Sequence, residues 1–199
     1  MAKYIRSRQP HAITFNSRVT KIALSKDDDG LEVVASGITY KYPLVVSTLP
    51  MPVLRTVDLS EAEFSPMQSN ALRHLSYGPS VKIGMQFQTA WWTNGVDKDG
   101  QKLGIVGGQS LTDRSLRQVV YPSFGDVESG KTTTLIASYC WTDDADRLGA
   151  LVDNDKNFLV DLVLRELADV HNVDLNFLRG QLIGTHAWSW SHDPYTMGE

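Results

Sequence analysis

The chain has 199 residues, a net charge of −4 and 42% apolar residues, which suits one domain, or one domain and part of another, with enough apolar side chains for a core. Acidic and basic residues are interspersed, so there is neither the basic stripe of a nucleic-acid binder nor the Lys/Arg-rich helix of a membrane surface. Cys140 is the single cysteine, which excludes an intrachain disulfide, and no apolar run approaches the roughly 18 residues of a membrane-spanning helix.

The first fifty residues read as short strands. Arg18–Leu24 alternates polar and apolar, the period of a half-buried strand. Lys26–Gly30 is a charged turn, and Leu31–Ser36 the returning strand. Thr39–Pro43 leads into Leu44–Pro50, whose continuous Leu44-Val45-Val46 run predicts a strand buried on both faces. Pro50 and Pro52 stop it, and a domain boundary is placed near residue 50.

Ser65-Pro66-Met67-Gln68 predicts a helix start, with serine as cap, proline at the first helical position and glutamine completing a capping box. That helix should run to about Leu75, ended by Gly78-Pro79. A strand over Val81–Gln88 follows, then a polar loop over Asn94–Gln101. Val119–Tyr121 and Thr133–Cys140 read as two more strands, separated by the turn-rich stretch Phe124–Lys131. Asp143-Asp144-Ala145 opens a short helix, its carboxylates favourable at the N-terminus. Phe158, Leu159, Leu162, Val163, Leu167 and Val170 form one apolar stripe along a helix over Asn154–His171. Leu182–Trp190 reads as a last strand. The order suits an α+β fold with a mixed sheet and helices packed on one side.

Several familiar chemistries are absent. No Gly-x-Gly-x-x-Gly follows a strand, and Gly104–Gly108 has the wrong spacing and no helix after it. There is no Walker motif, no His-Glu-x-x-His, no Cys/His metal spacing and no Gly-x-Ser-x-Gly elbow. His11, His74, His171, His186 and His192 have no partner motif, and Asp143-Asp144 reads as a helix start rather than a carboxylate pair.

Lys82 is different. Alternation along Val81–Phe87 puts Lys82, Gly84 and Gln86 on one strand face and Val81, Ile83, Met85 and Phe87 on the other. That face is either simply wet or turned into a cavity where Lys82 holds water or an anion. Tyr139, near the end of its strand, has the form of a residue that presents its hydroxyl to a cleft, or of ordinary packing.

Seven stretches together, in order, resemble the flavin-containing amine oxidase family, and within it the L-amino-acid oxidases. They are Arg18–Ile22, Val45–Pro50, Ser80–Ile83 with Trp91-Trp92, Gly107–Asp113, Tyr121-Pro122, Asp143–Ala145 and Trp190–Gly198. The resemblance implies that residues 1–50 are late strands of an incomplete FAD-binding domain and that 51–199 are most of a substrate-binding domain. It implies that the backbone of Val19 contacts the adenine end of FAD and that Lys82 holds a water near flavin N5. It further implies that Tyr139 helps bind a substrate carboxylate and that Trp190 lies near the flavin. The implied reaction is oxidative deamination of an L-amino acid to a 2-oxo acid, ammonia and hydrogen peroxide, with O2 as oxidant. Monoamine or polyamine oxidation and a non-catalytic interaction domain are the rival readings. An acidic residue facing Lys82 would favour polyamines, and Tyr139 with a cationic partner would favour amino acids.

The family's dinucleotide fingerprint and its upstream carboxylate-binding arginine are not among these residues. The chain is therefore expected to bind FAD weakly and to be inactive alone. A missing FAD-binding domain is expected to dock on it, and a homodimer is allowed; no metal, nucleic acid or membrane segment is expected.

Overall fold

The computed structural model describes residues 1–27, 30–124 and 132–199. Asp28 and Asp29 of the first expected turn, and residues 125–131 of the turn-rich stretch, lie outside the described residues. The chain divides into two compact units, Met1–Ser76 and Tyr77–Glu199. This division falls later than the boundary near residue 50 drawn from Pro50 and Pro52.

In the first unit, α1 (Ala2–Arg8) is a helix where short strands were expected. A three-stranded antiparallel sheet follows: β1 (Val19–Leu24), β2 (Leu31–Ala35) and β3 (Ile38–Tyr42) in that order. Ser36 and Gly37 both have positive φ, at 52° and 78°, the two-residue hairpin geometry that suits the twist of the strands. A bulge breaks the β1–β2 register between Val19 and Lys21. The unit ends with α2 (Met51–Leu54) and α3 (Pro66–His74). The helix start read at Ser65 is as expected: Gln68 N–H donates to Ser65 Oγ at 3.3 Å, and Ser65 N–H donates to Gln68 Oε1 at 2.9 Å.

The strand expected over Leu44–Leu49 does not form, and Leu44 and Val46 are 74% and 77% exposed. A strand with apolar side chains on both faces needs a hydrogen-bonded neighbour and a layer on each side. The small sheet of this unit supplies neither to these residues.

The second unit holds a five-stranded sheet in the order β5-β6-β7-β4-β8: β4 (Ser80–Phe87), β5 (Gln109–Leu111), β6 (Gln118–Val120), β7 (Thr134–Trp141) and β8 (Leu182–Ser189). Its helices are α4 (Trp91–Asn94), α5 (Thr142–Asn154), α6 (Lys156–Val170) and α7 (Leu175–Gln181). Every ladder between named strands is antiparallel, so the sheet is not mixed in its pairings. The reason is topological: the helices α5 to α7 carry the chain from β7 to β8 in the same direction, but β4 lies between them and runs opposite to both.

The core explains why the β4 pattern reads as it does. Val81, Ile83, Met85 and Phe87 are all fully buried, as alternation predicts. Phe87, Trp91 and Trp92 meet edge to face with ring centroids 5.5–6.2 Å apart. Leu148 and Val152 of α5, and Leu159, Val163 and Leu167 of α6, complete the cluster. The opposite sheet face is left free of these helices, and it carries Lys82.

Candidate functional site

A lysine on the outer face of β4 needs neighbours, and the sheet register supplies them. Lys82 pairs with Tyr139 on β7 and with Trp188 on β8. The Tyr139 neighbour depends on a bulge. Between Ile83 and Gly84 the β7 register slips by one residue, so that Ile83 faces Ser138 while Gly84 faces Ile136. Leu135 and Ala137 point into the core before the slip, and Ser138 and Cys140 do so after it. The extra residue turns Tyr139 and Trp141 to the Lys82 side; strict alternation from Leu135 would bury Tyr139. On β8 the same alternation brings His186, Trp188 and Trp190 to that face.

Lys82 Nζ lies 4.3 Å from the centroid of the Tyr139 ring and 5.7 Å from that of Trp190, so the ammonium is held over two aromatic faces. Tyr139 packs on Trp141 with ring centroids 4.0 Å apart, and His186 stacks on Trp188 at 6.0 Å. Trp190, Tyr139 and Lys82 thus share one corner.

Glu199 joins that corner. Tyr139 Oη donates to Glu199 Oε1 at 2.8 Å, and Lys82 Nζ is 3.7 Å from the same oxygen. The backbones of Gly78 and Glu199 exchange two hydrogen bonds of 3.0 Å each, which pins the residue. Gly198 must be glycine here: its φ is 132°, and a Cβ would come within 2.6 Å of the Tyr77 Cβ. Burial pushes the Glu199 carboxyl up, but the Ser80 and Tyr139 hydroxyls and the Lys82 ammonium outweigh it, and the net shift is downward. Burial and the Glu199 bond raise the Tyr139 hydroxyl, against the pull of Lys82. Near neutral pH the corner therefore holds an ammonium, a neutral phenol and a carboxylate.

One donor in the corner has no hydrogen-bond partner among the described residues: the buried indole N–H of Trp190. Buried donors are normally satisfied, so an orphan beside an open charged face marks a place that suits an acceptor. An aromatic face with a cation and an unpartnered indole N–H fits the edge of a planar ring that carries nitrogen and oxygen acceptors, such as a flavin.

The other candidates fall elsewhere. Val19 opens β1 in the first unit, next to the bulge in that ladder. Asp144 is buried and bonded to Arg117 and Arg147, whereas Asp143 is exposed, so the acidic pair is a helix start in which Asp144 makes two structural ion pairs. His171 is buried, accepting from or donating to Tyr121 Oη, whose hydroxyl lies 2.8 Å from Ser110 Oγ. His192 pairs with Asp153 beside a hollow of about 270 Å³. No group of three metal-ligating side chains occurs among the described residues, and no helix among them is long and apolar enough to cross a membrane. Of the residues named from the sequence, Lys82, Tyr139 and Trp190 come together here, whereas Glu199, Ser80 and Trp188 beside them were not singled out. Trp188 follows from the period of β8; nothing in the local pattern announces Glu199.

Comparison with known proteins places the chain in a family. The family model for flavin-containing amine oxidoreductases matches residues 1–199. The chain is 49% identical to L-amino-acid oxidase 4 of Hebeloma cylindrosporum over all of its own length and 33% of that protein. It is 31% identical to an L-amino-acid oxidase of Siganus canaliculatus, covering 94% of this chain and 33% of that one. The chain thus spans about a third of the length of these relatives. Among solved structures, a putrescine oxidase double mutant aligns over 100% of this chain and 39% of its own with a TM-score of 0.71 at 16% identity. A cyclohexylamine oxidase from Brevibacterium oxydans aligns over 92% and 36% with a TM-score of 0.66 at 12% identity. Those two similarities speak for the fold alone. The match over the whole chain and the identity to the fungal relative go further: the chain belongs to the flavin-containing amine oxidoreductase family.

Proposed function

We propose that this chain is part of an FAD-dependent oxidase that deaminates L-amino acids to 2-oxo acids, with release of ammonia and hydrogen peroxide. The observation that carries this reading is the bulge-directed pairing of Tyr139 with Lys82 on one open face, 4.3 Å from ring centroid to ammonium. Tyr139 with a cationic partner suits a carboxylate, and the identity to L-amino-acid oxidase 4 supports the same choice.

In this reading residues 1–50 contribute late strands of an FAD-binding domain and residues 51–199 a substrate-binding domain. The exposed Leu44 and Val46 support it, because an apolar run of that kind is suited to burial by further chain. The backbone at Val19 would hold the adenine end of FAD, and Trp190 and Lys82 would flank its ring. When bound, FAD supplies the redox chemistry, taking a hydride equivalent from the substrate α-carbon and returning electrons to O2. The chain's own groups orient and protonate. Tyr139 donates to the substrate carboxylate and fixes the direction of the α-carbon, and the aromatic wall of Trp190 and Trp188 excludes bulk water. Lys82 holds a water beside the flavin N5 position.

The test uses the longer polypeptide that carries this chain, loaded with FAD. Tyr139→Phe should raise KM for an L-amino acid about tenfold, and Lys82→Met should slow flavin reduction or reoxidation. Unchanged values for both would remove the pair from the reaction. The 199-residue chain alone is expected to purify colourless and inactive; a yellow preparation with stoichiometric flavin would refute that. A second reading, oxidation of amines that lack a carboxylate, is favoured by one observation: Glu199 is an acidic residue facing Lys82.

A further inference from the structure

The Lys82 corner is rich in donors and, among the described residues, holds one side-chain anion, Glu199. Lys82 offers an ammonium, Tyr139 a hydroxyl, and Trp190 an indole N–H with no hydrogen-bond partner among the described residues. Such a set recognises a carboxylate. Among the described residues, the carboxylate beside Tyr139 and Lys82 is the chain's own Glu199. A phenol has one proton to give, and Tyr139 gives it to Glu199. A second carboxylate arriving there meets a donor already taken and a like charge.

We propose that Glu199 is a specificity-determining residue: its carboxylate occupies the Tyr139 hydroxyl and the Lys82 charge that an incoming carboxylate would use. An anion then binds in the corner only when Glu199 swings away or is neutralised. The side chain has room for this. Its backbone is pinned to Gly78 by two hydrogen bonds, yet the side chain is 40% exposed, so it moves without disturbing the sheet. Identifying the incoming carboxylate with an amino-acid substrate rests on the function proposed above; the competition itself rests on the geometry. For two carboxylates about 5 Å apart and partly screened by solvent, the expected discrimination is about tenfold.

The probe is benzoate, titrated into the 199-residue chain and followed through the NMR shifts of the Tyr139 ring and the Trp190 indole. Glu199→Gln should tighten benzoate about tenfold, while the added Lys82→Met should abolish binding at those signals. Benzylamine should show the reverse, binding more weakly to Glu199→Gln. Benzoate affinity that is unchanged or weaker in Glu199→Gln overturns the proposal, as does binding at those signals that survives Lys82→Met. In the FAD-loaded longer enzyme, Glu199→Gln should lower KM for an L-amino acid with kcat retained. If the enzyme oxidises L-amino acids and that KM does not fall, the role of Glu199 fails and the function stands. If it oxidises no L-amino acid but the benzoate result holds, the function fails and the role of Glu199 stands.

Discussion

The two compact units of this chain are built on unequal cores. The first gathers a few small side chains, Ala23, Val33, Ala35 and Val57, under a three-stranded sheet whose edge strand β3 is exposed along its whole length. The second closes a sheet with helices over Val81, Ile83, Met85, Phe87, both adjacent tryptophans and the apolar stripe of α6. Both carry stretches that resemble the same family, so the difference lies in how much of each layer is present. A sheet covered on one face has a stability of its own; a bare three-stranded sheet depends on what covers it.

All five tryptophans, Trp91, Trp92, Trp141, Trp188 and Trp190, belong to the second unit, so their fluorescence reports it alone. The sharpest way to break the comparison is Ile83→Ala. Deleting a fully buried side chain at the centre of β4 should cost about 3 kcal/mol, read as a drop in the urea midpoint of tryptophan fluorescence. Val33→Ala in the first unit should leave that midpoint in place. Coincident shifts for the two would show one cooperative body rather than two unequal ones.

The next effect is one of pH. Burial depresses the His171 imidazole below its ordinary value, against the opposing pull of the Leu167 carbonyl. The unfolded chain therefore takes up a proton first as the pH falls. The stabilisation is complete above about pH 6.5 and is lost below it, at up to about 1.4 kcal/mol per pH unit, until the folded-state value is reached. His171→Phe should flatten this acid limb of the tryptophan transition; an unaltered limb would place its origin elsewhere.

Ser65→Ala removes the capping box of α3 and should cost about 1 kcal/mol in the first unit. Faster amide exchange confined to Gln68–His74, with the tryptophan midpoint unmoved, is the expected signature. The smallest effect is a gain. Thr142 has φ of 56°, a strained value for a β-branched residue. Thr142→Asn, which tolerates that conformation, should stabilise the second unit by about 0.5 kcal/mol. A loss would mean that the bond from Thr142 Oγ1 to the Trp141 carbonyl outweighs the strain.

What was legible in the sequence follows the same divide. In the second unit, period and burial agree, so β4, β7, α6 and β8 were placed to within a residue or two. The sides of Lys82 and Ile83 were assigned correctly because β4 has regular alternation. In the first unit the capping box was legible, since its signal is local. The exposed Leu44–Leu49 segment was read as buried because composition reports what a segment suits, not whether its neighbours are there. The bulge that aims Tyr139 was not legible, since Leu135–Trp141 carries no glycine or proline to mark it and the slip exists only in relation to β4. Glu199 was missed for a related reason: it reaches Tyr139 through 60 residues of chain and a turn fixed by Gly198.

The reciprocal bonds between Gly78 and Glu199 carry a consequence of another kind. They lay Gly78 and Glu199 side by side although the sheet and helices of the second unit lie between them in sequence. Two segments held in this way open together: fraying of residues 197–199 frees the chain just before β4 as well. The same adjacency means that joining Tyr77 to Glu199 with a short linker and opening the chain at an exposed turn such as Asp99-Gly100 should give a permuted unit with its sheet order intact.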